Sequence, residues 1–386
     1  MVLNTIAFLL YIKVQKNKVP LKVQKEENMK MRKIGTLLLS MTLALGMLTG
    51  CGGSSKEDTS AEAPKETNEV NLIIWTEYIP DSVIAGFEEK TGLKVNMTTY
   101  AAADEMLAKV KSSKEGTYDL IIAPENYTPI FSVEGLLEEL DKSKITNIGN
   151  LDTTLLGREN DPENKYSLPY MFASAVIAVN KDVIKDEITS YADLLKPEYE
   201  DTIVAIEDTR AMYAMAAMAK GYDANDTSDE ALAAVEEYWT ELFKNVHVFD
   251  GTSPKTEMIN GECPIGLLYG AEALLAQKEI PSIECIYPTE GVYMGADAMM
   301  ITAKGENKEN AYKLLDYILD AETSASISKE FPYINPNAKA LELLGEEFTG
   351  NVLTNPPADA KERSCTLTDI GDELNKIVEL WTKLKG

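Results

Sequence analysis

The sequence predicts an α/β fold of two lobes, each a mostly parallel sheet flanked by helices, with the chain crossing between them. Three observations carry this reading. Between residues 72 and 123, short apolar runs alternate with segments of helical period in the order βαβαβ. A second set with the same grammar occupies residues 173–287. A further apolar run at 299–303, followed by helical periods at 307–319 and 324–331, indicates a return to the first lobe.

Each element has its own justification. Residues 72–75 form a short buried strand, and 81–90 place Val83, Ile84 and Phe87 at helical spacing. Residues 94–100 alternate like a strand, 104–113 are helical, and 118–123 read as a buried strand. In the second set, strands are expected at 173–180, 203–206, 246–249, 265–268 and 283–287. Helices are expected at 191–195, 210–220 and 229–244, and a last one at 371–384. Trp239 and Trp381 sit among apolar neighbours at helical spacing and read as core residues.

The N-terminal region is set apart from the fold. Lys30, Arg32 and Lys33 precede an apolar stretch at 34–48 that ends in Leu48, Thr49, Gly50 and Cys51. This is the pattern of a secretory signal peptide at 29–50, too short to be read as a retained membrane span. It resembles the bacterial lipobox, which implies that Cys51 becomes the lipidated N-terminus and anchors the chain to the membrane. Residues 1–28 look unlike folded protein, and Lys25, Glu26, Glu27 and Asn28 are encodable by a purine-rich run of the kind that precedes a start codon. Translation is therefore expected to begin at Met29 or Met31. Residues 51–69 hold no aromatic residue and little apolar bulk, which predicts a disordered tether.

Composition excludes some functions. The chain carries a net charge of −26. Without residues 1–50, which hold eight Lys/Arg and two Asp/Glu, 29 basic residues face 61 acidic ones, or −32. Nucleic acid is not an expected partner, because duplex binding depends on cationic contacts with phosphate. Such a surface draws in small cations and repels anions, and it also serves solubility. Cys263, Cys285 and Cys365 match neither a disulfide framework nor a zinc pattern, leaving one bridge open, for example Cys263 with Cys285.

Catalytic signatures are missing. His247 is the sole histidine and lies in a strand-like alternation; no nucleophile elbow, phosphate loop, dinucleotide fingerprint or zincin motif occurs. Residues 223–227 have the flavour of a calcium loop but lack its turn glycine and terminal glutamate. No enzyme activity, metal or cofactor is expected.

Strand ends carry the suggestive groups. Trp75, Thr76, Glu77 and Tyr78 follow the first strand, joining cation-binding rings to a carboxylate and a hydroxyl. Asp208 stands where a strand becomes a helix, where it also suits an N-cap. Tyr269 and Glu272 repeat the aromatic-then-carboxylate pattern, and Gly291 and Gly295 flank Tyr293 before Asp297. In open α/β sheets ligands bind outside the carboxyl ends of the strands, so these groups are expected to share one site.

The stretch 75–78, taken with Tyr118, Asp119 and Leu120, with Ser167, Leu168, Pro169 and Tyr170, and with residues 192–199, resembles bacterial spermidine/putrescine-binding proteins, the extracytoplasmic receptors of polyamine ABC importers. The likeness runs over nearly all of 70–386. It implies a type II periplasmic-binding-protein-like fold: lobe 1 at 70–173 and 294–342, lobe 2 at 174–293, and a C-terminal segment at 343–386 packing across both. Hinges are expected near 172–175 and 292–295. The resemblance implies a lipid-anchored monomer on the outer face of the cytoplasmic membrane that delivers a polyamine, putrescine or spermidine, to a permease and its ATPase. Other readings are a receptor for another small cationic or zwitterionic solute, or a surface lipoprotein outside transport.

Residue by residue, the resemblance assigns ligand binding to Trp75, Thr76, Glu77, Tyr78, Asp208, Tyr269, Asp297 and Tyr333, with Tyr293 as a further wall. This chain departs from the family at Ala211, where spermidine binders carry a glutamate, at Gly295 in place of a wall tryptophan, and at Leu367 in place of a polar residue. Pro124, Glu125 and Asn126 replace a Ser-Thr-Tyr run, which makes Asn126 the candidate from that loop. Glu272 offsets part of the lost acidity. A polyamine needs ring faces for its methylenes and carboxylates at matching intervals for its ammonium groups. Two or three charge-assisted bonds of about 1.5–3 kcal/mol each, less the cost of association, correspond to an affinity of roughly micromolar order.

Overall fold

Strand order, rather than strand existence, is what places the site. The computed structural model describes residues 67–385. Signal peptide, Cys51 and the start-site question fall outside those residues. Ten strands run in chain order: β1 Glu69–Trp75, β2 Lys94–Tyr100, β3 Leu120–Pro124, β4 Ser167–Asn180, β5 Ile203–Ile206, β6 Val246–Asp250, β7 Ile265–Tyr269, β8 Ile283–Ile286, β9 Val292–Ile301 and β10 Ser364–Cys365. The main path through the sheet is β2-β1-β3-β9-β4-β7-β5-β6. At one end β2, β1 and β3 are parallel, and at the other β6, β5 and β7 are parallel. Between them β4 and β9 pair antiparallel with each other and with the strand on either side.

β4 and β9 are long because they belong to both lobes. The expected strand at 173–180 begins six residues earlier, at Ser167. Pro169, which cannot donate to the ladder, lies in this added part, and the register shifts between Pro169 and Met171 in a bulge beside it. The run expected at 299–303 is likewise the end of a strand that starts at Val292.

Each lobe buries both faces of its sheet, as parallel strands require. On one face of lobe 1, Leu72, Ile74, Leu120, Ile122 and Met299 pack with Phe87 and Leu314 from the helices. On the other, Ile73, Ile121 and Met300 meet Tyr100, Met106 and Phe131. In lobe 2, Ile177, Val179 and Leu267 face Met212, Met215 and Trp239, while Val176, Ala178 and Leu268 face Met258 and Ala273. Along β4 the core changes from the lobe 1 cluster, which includes Met171, to the lobe 2 cluster, which includes Ala175.

The C-terminal segment is divided between the lobes. Helix Ala338–Thr349 packs on the helix Ala321–Glu330 of lobe 1, and the boundary expected at 342 falls inside it, near a break at Gly345 with φ 75°. Helix Glu373–Lys385 packs on helices Thr209–Ala219 and Asp229–Asn245, with Trp381 edge-on to Trp239 at 5.3 Å. Helices Tyr127–Val133, Lys255–Ile259 and Ala358–Glu362 were not expected; each is too short to show a period. Residues 67–69, assigned to the tether, belong instead to the folded unit. Thr67 donates through its N–H and Oγ1 to Asn307 Oδ1, both at 2.9 Å, and Glu69 opens β1. The three cysteines in the described residues are free thiols, so the Cys263–Cys285 bridge is not formed.

Asp119, noted above beside Tyr118 and Leu120, has a structural task. Fully buried, it accepts from the N–H of Asn71 at 2.8 Å and of Asn307 at 2.9 Å, and from both Asn side-chain amides at 2.9 and 3.1 Å. Asp119→Ala leaves these donors unpaired and is expected to destabilise the chain by about 3 kcal/mol or more. Urea unfolding of the variant measures this, and a loss below about 1 kcal/mol contradicts the assignment.

Candidate functional site

The carboxyl ends of β1, β5, β6 and β7 and the middle of β9 open onto one cleft between the lobes, about 700 Å³ including the part open to solvent. Ten of the eleven ligand-binding candidates line it: Trp75, Thr76, Glu77, Tyr78, Asp208, Tyr269, Glu272, Tyr293, Asp297 and Tyr333. Asn126 is not among the lining residues; it is buried at the start of helix Tyr127–Val133. Its neighbour Glu125 instead receives Arg158 in a forked pair, with Nε at 2.9 and 2.8 Å and Nη2 at 2.8 Å. Arg158 also donates to Thr366 Oγ1 at 3.1 Å, so this loop ties the C-terminal segment to lobe 1.

β1 delivers the first group of residues. Trp75 ends the strand with its ring 4.5 Å from that of Tyr100. Thr76, which also lines the cleft, is held by its N–H and Oγ1, both donating to Tyr100 O at 2.9 and 3.1 Å. Glu77 follows with φ 51°, a left-handed conformation uncommon outside glycine and typical of functional turns. Tyr78 then points inward, its ring edge-on to Tyr170 at 5.1 Å and to Tyr333 at 4.8 Å.

Two carboxylates face the cleft from opposite lobes. Asp297 accepts from Trp75 Nε1 at 3.1 Å and from the Tyr78 hydroxyl at 2.6 Å. Burial pushes its pKa up to about 6, with Asp208 and Glu125 adding repulsion, while the Tyr78 and Trp75 bonds pull the other way. At 1.36 kcal/mol per pH unit, keeping this group ionised costs roughly 3 kcal/mol. Asp208 caps the helix Thr209–Ala219 by accepting from Ala211 N at 3.0 Å, and it takes the Tyr269 hydroxyl at 2.8 Å. It therefore fills the N-cap role that its position suggested, and it also lines the cleft. Burial raises its pKa against the pull of those two bonds and of nearby Arg210. Arg210 is itself held by Asn225 Oδ1 at 2.8 Å, which gives the loop at 223–227 a structural use.

Alternation along β9 puts Tyr293, Gly295 and Asp297 on the same face. A Cβ at Gly295 would meet the Tyr293 hydroxyl at 2.2 Å, so the missing wall side chain makes room for the Tyr293 ring. That ring lies 6.3 Å from Tyr269.

The sequence reading missed the loop after β6. Asp250, Gly251, Thr252 and Pro254 line the cleft, and a Cβ on Gly251 would stand 2.1 Å from Ala101 O, so the lobes touch backbone to backbone there. Lys255 follows, its ammonium donating to Glu77 Oε2 at 2.9 Å and to both oxygens of Glu272 at 3.2 and 3.0 Å. Burial works against its charge, yet Glu272 and Glu77 together raise its pKa. Burial also raises the pKa of Glu272, against the pull of Lys255. The only signal in the sequence was a turn-forming Gly-Thr-Ser-Pro run at a strand end.

Among the described residues no group of three or more His, Cys, Asp or Glu side chains is arranged to hold a metal ion, and no helix is long and apolar enough to cross a membrane. The site is a pocket of rings and carboxylates.

Comparison with known proteins gives the same direction. The profile of the bacterial extracellular solute-binding protein family matches residues 82–356. The spermidine/putrescine-binding periplasmic protein of Salmonella typhimurium is 33% identical over 351 residues, 91% of this chain and 97% of its own. The putrescine-binding periplasmic protein of Escherichia coli is 26% identical, covering 83% of this chain and 92% of its own. A solved structure from Listeria monocytogenes, assigned to spermidine/putrescine ABC transport, matches with a TM-score of 0.80 at 27% identity over 83% of this chain and 99% of that one. With the cleft, the two-lobed fold and these matches agreeing, the chain belongs to the bacterial extracellular solute-binding proteins, a family that captures solutes for ABC importers and performs no catalysis.

Proposed function

We propose that this chain is the lipid-anchored receptor of an ABC importer, that it captures putrescine or spermidine in the interlobe cleft, and that it delivers the polyamine to the permease. One observation carries the ligand class. Asp297 from the strand shared by both lobes and Asp208 from lobe 2 present buried carboxylates to one cleft, each already oriented by a tyrosine hydroxyl. Among the described residues neither forms a salt bridge with a lysine or arginine, and a solute ammonium supplies that missing charge. The rings of Trp75, Tyr269, Tyr293 and Tyr333 offer faces for the methylenes between ammonium groups. The named relatives bind spermidine and putrescine, which supports the same class. In this reading β4 and β9 bend near 172–175 and 292–295 as the lobes close, and contacts from both lobes stabilise the closed form. Cys51 holds the protein on the outer face of the membrane as a monomer.

Titration calorimetry of the mature chain with putrescine, spermidine and spermine is the direct test. Saturable heat at roughly micromolar affinity is expected for a polyamine. Heat with an amino acid or a sugar, and none with any polyamine, overturns the ligand class.

Asp297→Asn separates binding from folding. Loss of a charge-assisted bond is expected to weaken polyamine binding about 10- to 100-fold, more than Trp75→Leu, which forfeits about 0.5–2 kcal/mol of cation–π attraction. Without added polyamine the variant is expected to be as stable as the wild type or more so, because a costly buried charge is gone. The pH dependence has a definite sign. Asp297 has a folded pKa above its ordinary value of 3.8, so its favourable contribution is complete below about pH 4 and is lost as pH rises through about 6. Thermal melts of wild type and variant from pH 4 to 8 should diverge over that window, and parallel curves contradict the assignment.

A further inference from the structure

We propose that Lys255 is a tethered ammonium that occupies the Glu77–Glu272 end of the cleft and thereby restricts the site to a short diamine. This rests on the polyamine reading and deepens it. The four acidic side chains proposed to receive ammonium groups fall into two pairs. Asp297 and Asp208 each accept from a tyrosine hydroxyl, Glu77 and Glu272 share one lysine, and all four line the cleft together with Tyr333. Only one pair already holds a protein cation.

The geometry is that of a built site rather than a surface ion pair. Lys255 Nζ has four acceptor atoms within 3.2 Å: Glu77 Oε2, both oxygens of Glu272, and Ser253 Oγ at 2.8 Å. The side chains of Lys255 and Glu272 are only 16% and 6% exposed. An exposed lysine gains little from such pairing, and most surface ion pairs contribute next to nothing. Here the approach is fixed. Asp250 Oδ1 accepts from the N–H of Thr252 and of Ser253 at 2.7 and 3.2 Å, and Gly251 lies against Ala101 of the facing lobe, so the loop presents Lys255 in one place.

A protein ammonium in that position has two effects. It joins Glu77 of lobe 1 to Glu272 of lobe 2, which favours the closed arrangement. It also repels a third ligand ammonium at the same end, because two cations sharing these acceptors beside the nearly buried Glu272 each weaken the other. A diamine avoids the conflict by placing its charges near Asp208 and Asp297. A triamine long enough to reach Glu77 and Glu272 meets Lys255.

The test is the ratio of putrescine to spermidine affinity, measured by calorimetry on the mature wild type and on Lys255→Met, Lys255→Gln and Lys255→Arg. The wild type is expected to bind putrescine at least tenfold more tightly than spermidine. Both neutral variants are expected to shift the ratio toward spermidine by at least tenfold, mainly by tightening spermidine, and Lys255→Arg to retain the wild-type ratio. A shift below tenfold in the neutral variants overturns the inference and leaves the polyamine reading standing. So does a wild type that binds spermidine at least as tightly as putrescine, a result that needs no variant to fold. A wild type that gives no heat with either amine overturns both readings.

Discussion

Negative charge held where water is scarce is the constraint from which the rest of this structure follows. A carboxylate at the base of a cleft is costly to ionise, and the protein reduces the cost with oriented donors rather than with a neighbouring lysine. Asp297 has an indole N–H and a phenol, and Asp208 has a phenol and a helix N-terminus. These donors fix direction, and although Arg210 offsets part of the charge of Asp208, neither carboxylate forms an ion pair among the described residues, so both keep their demand for a cation. The tyrosines that provide them are also the walls. Tyr78 both orients Asp297 and stands edge-on to Tyr333. The aromatic and acidic features of the site are thus one device, and the fold has to bring strand ends from two sheets within reach of each other.

Two long strands achieve that. β9 carries Tyr293, Gly295 and Asp297 on one face, and β4 pairs with it through Ala173 opposite Gly295 and Phe172 opposite Ala296. The chain passes between lobes at the floor of the cleft, which leaves the floor thin and lets the walls come from independent cores. Away from the floor the lobes meet where the loop after β6 touches Ala101 and where Lys255 meets Glu77. One contact is shape alone and the other is charge, and both depend on a short turn whose Gly-Thr-Ser-Pro sequence is set by backbone needs.

Much of this was legible in the sequence, for reasons that can be named. Parallel strands buried on both faces are uninterrupted apolar runs, so β1, β3 and β5 announced themselves, and polar aromatic residues just beyond such runs could only lie at a sheet edge. The antiparallel strands were harder. Pro169 concealed the first half of β4, where a bulge lies beside it, and Gly295 concealed the middle of β9, where the absence of a side chain admits the Tyr293 ring. Asn126 was proposed because residues 124–126 stand where the family carries a Ser-Thr-Tyr run, yet Glu125 and Arg158 direct that loop toward the C-terminal segment. Lys255 was invisible because a cation that serves an acidic cleft is chosen by a contact 178 residues away, and local pattern carries no trace of it.

Proton linkage gives the most direct test of the central claim. If a solute ammonium satisfies Asp297, binding must drive the proton from a group that is half-protonated near pH 6. Calorimetry of the putrescine titration in buffers of different ionisation enthalpy should show release of about half a proton per site at pH 6, falling to near zero at pH 8. Release that is absent at pH 6, or equal at both pH values, contradicts a buried carboxylate waiting for a cation in this cleft.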